Sequence, residues 1–252
     1  HQSVGALVLV RLCFHAQVAP GKLCVLRLVR RPTAAVTQRL QLTGTSTVND
    51  QGFGVQFGDQ PGLLLGDKQR LPLPRLDLLN DHTDNWSHGV DRFAEGPVQS
   101  PVWSAATLYD RGPLMASWLR QSRLDDSIVR EEWRVYHDLA MVELRLRVHW
   151  RQGRQLLKLV LPLADGGEER LDGIAGGHLA RPNSGRECPL QDWTRLTLPT
   201  GQFAVVSPDL FAVDATPERL RFTLLRSPIL TQHDPFPYDA SRAVFADQGE
   251  HE

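Results

Sequence analysis

Cysteine is scarce in this 252-residue chain, with three, at positions 13, 24 and 188. An odd, sparse set is no disulfide framework, and no Cys-x-x-Cys spacing offers a metal site. Cys13 and Cys24 can face each other across a hairpin. The reading adopted is three small buried thiols in a reducing compartment, so a cytoplasmic location is expected. An excess of either charge is also lacking: 28 Lys and Arg stand against 29 Asp and Glu, a net charge of −1. That balance gives no basis for binding nucleic acid or an acidic membrane surface, and neither is expected as a partner. A neutral partner such as a sugar is compatible with it.

Long apolar runs are missing as well. The run at residues 6–10 ends at Arg11, too short to span a membrane. Residue 1 is His and no basic segment precedes the run, so it does not read as a signal peptide. Both ends are expected to be cut from something longer. No stretch keeps a helical period over more than about two turns. There is no Gly-x-Ser-x-Gly elbow, and Gly173-x-x-Gly176-Gly177 lacks the Lys and following helix of a phosphate loop.

What the chain has is strand signals every 8–12 residues or so, the spacing of a large sandwich or barrel. Strands are expected over 4–14 and 23–30, joined by a Pro20-Gly21 turn, then over 36–48 and 53–57. Residues 58–76, rich in Pro and Gly, suggest turns and short edge pieces. Further strands are expected at 102–109, 113–120, 128–137, 141–150, 156–161, 202–207, 210–215 and 219–226. The clearest is 141–150. Val142, Leu144, Leu146, Val148 and Trp150 alternate with Glu143, Arg145, Arg147 and His149, as a strand with one face in a core demands. In 128–137, Trp133 and Val135 share a parity with Val129 and Glu131. Residues 151–154 read as a tight turn. Residues 164–177 read as a Gly- and Asp-rich loop, and 178–195 as a second polar stretch bearing Trp193. The Pro-rich tail from 227 reads as a surface loop. Nothing marks an internal linker, so residues 1–252 are read as one domain.

Residues 81–93, Asp-His-Thr-Asp-Asn-Trp-Ser-His-Gly-Val-Asp-Arg-Phe, concentrate titratable and aromatic groups in a loop. On a β-scaffold such loops commonly carry function, although Asp and Asn also bond their own backbone in turns. His82, Asp84 and His88 offer metal-type ligands but stand too close in sequence to converge on one ion, and no metal is assigned to them. Asp84, Asp91, Glu187, Asp192, Asp209 and Asp247 are carboxylates by context only; a glycosidase would need two of them about 5–10 Å apart. Trp118, Trp133 and Trp150 fall in strands and are expected in the core. Trp86 and Trp193 fall in polar loops, where an indole can face a sugar ring or plug the end of a sandwich; both readings stay open.

Four motifs carry a resemblance. Asp84-Asn85-Trp86-Ser87-His88-Gly89 is similar to an Asp-Thr-Trp-Ser-His-Gly loop. Val148-His149-Trp150 with Leu156-Leu157-Lys158-Leu159 and Leu161-Pro162 is similar to a strand pair of the form V-x-W … LLK-x-x-x-P. Arg181-Pro182 with Glu187, Pro189, Gln191 and Trp193 is similar to RP…E-x-P-x-Q-x-W. Leu224-Leu225-Arg226-Ser227-Pro228, with Asp247, Gly249 and His251, is similar to LLRSP … D-x-G-x-H-x-F. In this order they resemble the C-terminal β-domain of family 38 glycoside hydrolases, the α-mannosidases, over roughly residues 80–252; residues 1–79 match only in general character.

The resemblance implies an all-β fold, a large two-sheet antiparallel sandwich of the galactose-mutarotase-like kind. It implies a retaining α-mannosidase whose nucleophile and zinc ligands lie in an N-terminal catalytic domain outside this chain. The family's zinc motif is His-x-Asp-x-x-Trp; His82-Thr83-Asp84-Asn85-Trp86 is one residue too short. Zinc is therefore expected in the missing domain and no metal or catalytic residue is expected here. The chain would brace that domain and line part of a site for mannose-containing carbohydrate, with Asp84, Trp86, His88 and Arg226 as the candidate sugar-contacting residues. A free-standing aldose epimerase, working with one acid and one base across the ring, and a non-catalytic carbohydrate-binding module are the alternatives.

Overall fold

The computed structural model describes residues 14, 16–27, 37, 39–66, 69–87, 89–163, 166–229, 245 and 248–252. Among them there is no helix and there are nineteen strands. The first six are β1 (Gln41–Thr43), β2 (Ser46–Val48), β3 (Phe53–Gln56), β4 (Gly62–Leu65), β5 (Arg70–Leu71) and β6 (Arg75–Asn80). Then come β7 (Thr107–Arg111), β8 (Met115–Leu124), β9 (Ser127–Tyr136), β10 (Val142–Trp150), β11 (Gln155–Pro162), β12 (Glu169–Ile174) and β13 (Gly177–Arg181). The last six are β14 (Cys188–Pro189), β15 (Trp193–Leu198), β16 (Gly201–Val206), β17 (Ala212–Thr216), β18 (Arg219–Arg226) and β19 (Gly249–His251).

Every paired strand is antiparallel, but hydrogen bonding divides them into four sheets rather than two. Their orders are β1-β2-β3-β4-β5, β19-β10-β9-β8-β7, β14-β17-β18-β11-β6 and β13-β12-β15-β16. The link at 151–154 is not a hairpin turn. β10 pairs with β9 and β19, β11 with β18 and β6, so this link carries the chain from the second sheet to the third.

Two apolar clusters hold the sheets together. The smaller joins Leu76, Leu78, Leu157 and Leu225 of the third sheet to Leu124, Val129, Val148 and Trp150 of the second. The larger takes Val55 and Leu63 from the first sheet, Trp118 and Trp133 from the second, Val213 and Phe222 from the third and Leu196 from the fourth. Each such side chain contributes roughly 1.5–3 kcal/mol on burial. The indoles are anchored as well as buried: Trp118 Nε1 donates to Thr47 Oγ1 at 2.8 Å and Trp133 Nε1 to Glu131 Oε2 at 2.9 Å.

The alternation in 141–150 becomes β10, with Val148 and Trp150 buried and Arg145 and Arg147 exposed. The strands expected at 128–137, 156–161, 202–207 and 219–226 correspond to β9, β11, β16 and β18 within a residue or two. Other expectations need correcting. Residues 102–106 are not strand; the chain there runs beside β8 on isolated bonds. β12 falls in a stretch read as a loop, β15 begins in one, and β6 starts at the end of the turn-rich stretch and runs through residues to which no element is assigned. The Pro20-Gly21 turn forms, with Lys22 N–H donating to Ala19 O, but residues 22–27 after it are exposed coil. Cys24 is exposed and Cys188 half-buried, both as free thiols, so neither is the buried residue expected; residues 16–27 around Cys24 are themselves exposed. Cys13, the strand expected over 4–14 apart from Phe14, and most of the tail lie outside the described residues.

Candidate functional site

The loop at 81–93 leaves the end of β6 and is ordered by its own side chains. Asp81 Oδ1 accepts from Thr83 N–H at 3.1 Å, and Asp84 Oδ1 from Trp86 N–H at 2.9 Å. These are local turns in which a short carboxylate replaces a backbone acceptor. Ser87 and Gly89 take positive φ, 53° and 70°, which turns the chain back on itself. Asp84 also makes a parallel bridge with Ile229.

Arg226, the last residue of β18, fastens this loop to the third sheet. Its Nε donates to Asp81 Oδ2 at 3.0 Å, its Nη2 to Thr83 Oγ1 at 2.7 Å, and Nη2 also lies 2.8 Å from Asp81 Oδ2. The Asp81 side chain has no exposed surface, so this fork supplies the charge that makes its burial tolerable. The guanidinium also sits over the Phe93 ring, 5.6 Å from its centroid.

Beside this clamp lies a cleft of about 290 Å³. Ser87, Val90, Asp91 and Phe93 line it from the loop, Glu187 and Pro189 from the second polar stretch, and Thr223 and Arg226 from β18. Sheet topology thus brings together three regions far apart in sequence. Glu187 N–H donates to Asp91 O at 2.8 Å, joining the two polar stretches directly.

Under the cleft runs a buried charge network. Lys158, with no exposed side-chain surface, pairs with Glu187 and with Asp214 Oδ2, the latter at 3.0 Å. Arg221 Nε lies 2.8 Å from Asp214 Oδ1, and its Nη2 donates to Phe93 O at 2.8 Å. Thr223 Oγ1 donates to the other oxygen of Glu187. Truncating Asp214 would leave the buried Arg221 without its carboxylate, at a cost of about 3–5 kcal/mol. Asp91 is neutralised in turn by Arg186, 2.6 Å away. Both carboxylates of the cleft are therefore tied to cations. That suits a rigid polar wall better than an acid and base poised to exchange protons.

The four sugar-contact candidates are placed as follows. Arg226 lines the cleft; Asp84 stands beside it, its backbone oxygen 3.5 Å from Arg226 Nη2. Trp86 is 63% exposed on the same loop and is not part of the cleft lining. His88 lies outside the described residues, as does Asp247. Of the other contextual carboxylates, Asp91 and Glu187 meet in the cleft, whereas Asp192 and Asp209 do not reach it. Lys158, Asp214, Arg221 and Asp81 are not among the candidates that the sequence offers. The signal for Lys158 was a single charge inside the apolar run Leu-Leu-Lys-Leu-Val-Leu, which a strand buried on both faces accepts only with a partner.

Of the three metal-type donors in the loop, His82 and Asp84 are among the described residues. His82 is turned outward, 67% exposed and 3.7 Å from Glu95, while an Asp84 oxygen is committed to the Trp86 amide. Among the described residues no three His, Cys, Asp or Glu side chains cluster as a metal site would require.

The family model described as Glycosyl hydrolases family 38 C-terminal domain matches residues 73–235. The chain belongs to that family. The match starts at the beginning of the third sheet and takes in the loop, the cleft and the buried network, but not β1–β5. No curated protein sequence matches the chain. Among solved structures it is similar to an alpha-mannosidase from Enterococcus faecalis V583, with a TM-score of 0.64 and 11% identity. That likeness covers 79% of this chain and 28% of the other. It is also similar to a protein in the glycosyl hydrolase family 38 from Enterococcus faecalis, with a TM-score of 0.66 and 12% identity, over 87% and 30% of the two chains. The chain thus spans under a third of the length of either.

Proposed function

We propose that this family 38 domain is the non-catalytic β-domain of a retaining α-mannosidase. It braces a catalytic domain that carries the nucleophile and the zinc, and it offers one wall of the site for a mannose-containing carbohydrate. The observation that carries the reading is the clamp of Arg226 on Asp81 and Thr83. It spends an ion pair with a buried carboxylate on holding in place an otherwise irregular loop, which presents an exposed Trp86 next to a polar cleft. A pre-ordered aromatic beside hydrogen-bonding groups is what recognition of a sugar ring requires. The paired state of Asp91 and Glu187 supports placing the chemistry elsewhere. The cluster between the second and third sheets supports reading them as two layers of a galactose-mutarotase-like sandwich. Among the described residues no helix is long and apolar enough to cross a membrane; a cytoplasmic location remains part of the proposal.

The test uses the chain itself. With an aryl α-mannoside and added zinc, no turnover is expected. Calorimetric titration with mannobiose should show weak binding that Trp86→Ala abolishes. Clear turnover refutes the non-catalytic assignment. Binding that survives Trp86→Ala removes the loop from the sugar wall.

A further inference from the structure

The second sheet carries a larger groove, of about 650 Å³, which shares no lining residue with the Arg226 cleft. Its floor is the outer face of β8 and β9 and its side wall is the segment around 99–104. That wall is irregular but anchored at several points. Leu78 N–H donates to Gln99 O at 2.9 Å, Ser122 Oγ to Val102 O at 2.8 Å, and Ser104 N–H to Gln121 O at 2.9 Å. Trp103 packs on the apolar cluster below, and the Arg120 guanidinium lies 4.4 Å from its ring centroid. The groove is therefore preformed.

Its arginines set it apart. β8, β9 and β10 carry six arginines. Four are in ion pairs: Arg120 with Glu131, Arg134 with Glu132, Arg145 with Glu143 and Arg147 with Glu252. The other two, Arg123 and Arg130, have no acidic partner among the described residues, and both line the groove. Asp125 and Asp126 form the exposed hairpin tip between β8 and β9. In the β8–β9 register Arg123 faces Ile128 and Gln121 faces Arg130. Arg123 and Arg130 are thus diagonal neighbours on one face, with Cα atoms roughly 7–8 Å apart. Two guanidinium forks at that spacing can converge on one oxyanion. Around them Gln99 and Gln121 offer amides, while Val102 (89% exposed) and Ile128 (42% exposed) offer an apolar surface.

We propose that this groove is a second ligand site, which takes an acidic saccharide and grips its phosphate or carboxylate group between Arg123 and Arg130. The amides pair with hydroxyl groups and the apolar pair meets the C–H face of the ring. The assignment is independent of the function proposed for the Arg226 cleft.

The experiment is an amide-resonance titration of the whole chain at low ionic strength with four probes: a hexose 6-phosphate, a hexuronic acid, inorganic phosphate and a neutral methyl hexoside. At least one acidic sugar should shift the amides of Gln121, Arg123, Ile128 and Arg130, with affinity that falls as salt is raised. Whichever acidic sugar binds more tightly identifies the anion. Arg123→Gln combined with Arg130→Gln should weaken binding at least tenfold. Arg145→Gln, on the same sheet, should leave it unchanged. Shifts confined to other residues, equal response to the neutral hexoside, or no response to either acidic sugar each overturn the proposal. Inorganic phosphate binding as tightly as the sugar phosphate marks an adventitious ion only, and also overturns it. The shifts are measured on the unmodified protein, so they decide the matter even if the double variant does not fold.

Discussion

Glu131 occupies an inward position of β9, between Val129 and Trp133, with no exposed surface. Burial pushes its carboxyl above the usual glutamate range, against the opposing charge and hydrogen bond of Arg120 and the hydrogen bond of Trp133. Its inward orientation was legible from parity alone, since Val129, Glu131, Trp133 and Val135 alternate. Its partner was not, because Arg120 comes from the neighbouring strand through the register of β8 on β9. The raised value has a sign. In the window above the ordinary glutamate range the unfolded chain has released this proton while the folded chain holds it. Stability contributed by Glu131 is therefore present at low pH and lost as pH rises through that window. Glu131→Gln cannot ionise and removes the dependence. In urea denaturation between about pH 4 and pH 7.5, the wild type should lose stability relative to Glu131→Gln as pH rises. A difference that is constant with pH refutes the assignment. Arg226 shows the same limit of sequence reading. Its placement next to a loop was legible, whereas its Asp81 and Thr83 partners lie more than 140 residues away and were set by topology.

Elements were legible where burial follows hydrophobicity. β10 and β18 present apolar residues inward, and their limits could be read closely. β12 inverts the rule. Its inward positions hold Arg170 and Asp172, both essentially without exposure and 3.2 Å apart, while Leu171 is only half-buried. A strand that buries an ion pair has the composition of a polar loop, which is why 164–177 reads as one. Asp172 is further held by Thr194 Oγ1, at 2.7 Å, from β15. At the end of β12 the backbones approach closely. A Cβ on Gly173 would lie 2.3 Å from Gln191 O and 2.8 Å from Trp193 Nε1. Gly173→Ala must push β12 away from the start of β15 and should cost about 1–3 kcal/mol. Gly177, in the adjoining β13, has nothing within 4 Å of a built Cβ, so Gly177→Ala should stay within about 0.5 kcal/mol of the wild type. Thermal melts of the two variants separate the cases; equal stability would show that β12 and β15 can part freely.

At the scale of the molecule, periodicity gave the faces of strands but not their partners. Two sheets were expected, and four are found because short links such as 151–154 move the chain between sheets instead of closing hairpins. The end of the chain shows the consequence. β19 pairs with β10 through Val148↔His251, His149↔Glu250 and Trp150↔Gly249, and so covers what is otherwise an open edge of the second sheet. Gln248 Nε2 donates to Gln152 O and to Ser227 Oγ, and Trp150 Nε1 donates to the same hydroxyl. The last residues therefore tie the second sheet to the end of β18, next to Arg226 and its loop. Phe245 closes over Gly153, where an added Cβ would lie 2.9 Å from its ring. Removing residues 245–252 would strip this cover and leave the donors and acceptors of β10 exposed, the arrangement that invites edge-to-edge association. The truncated chain should lose amide protection along β10 in hydrogen exchange and should self-associate in size-exclusion chromatography, while β12 and β15 keep their protection. Unchanged protection along β10 would show that β19 lies against the sheet without stabilising it.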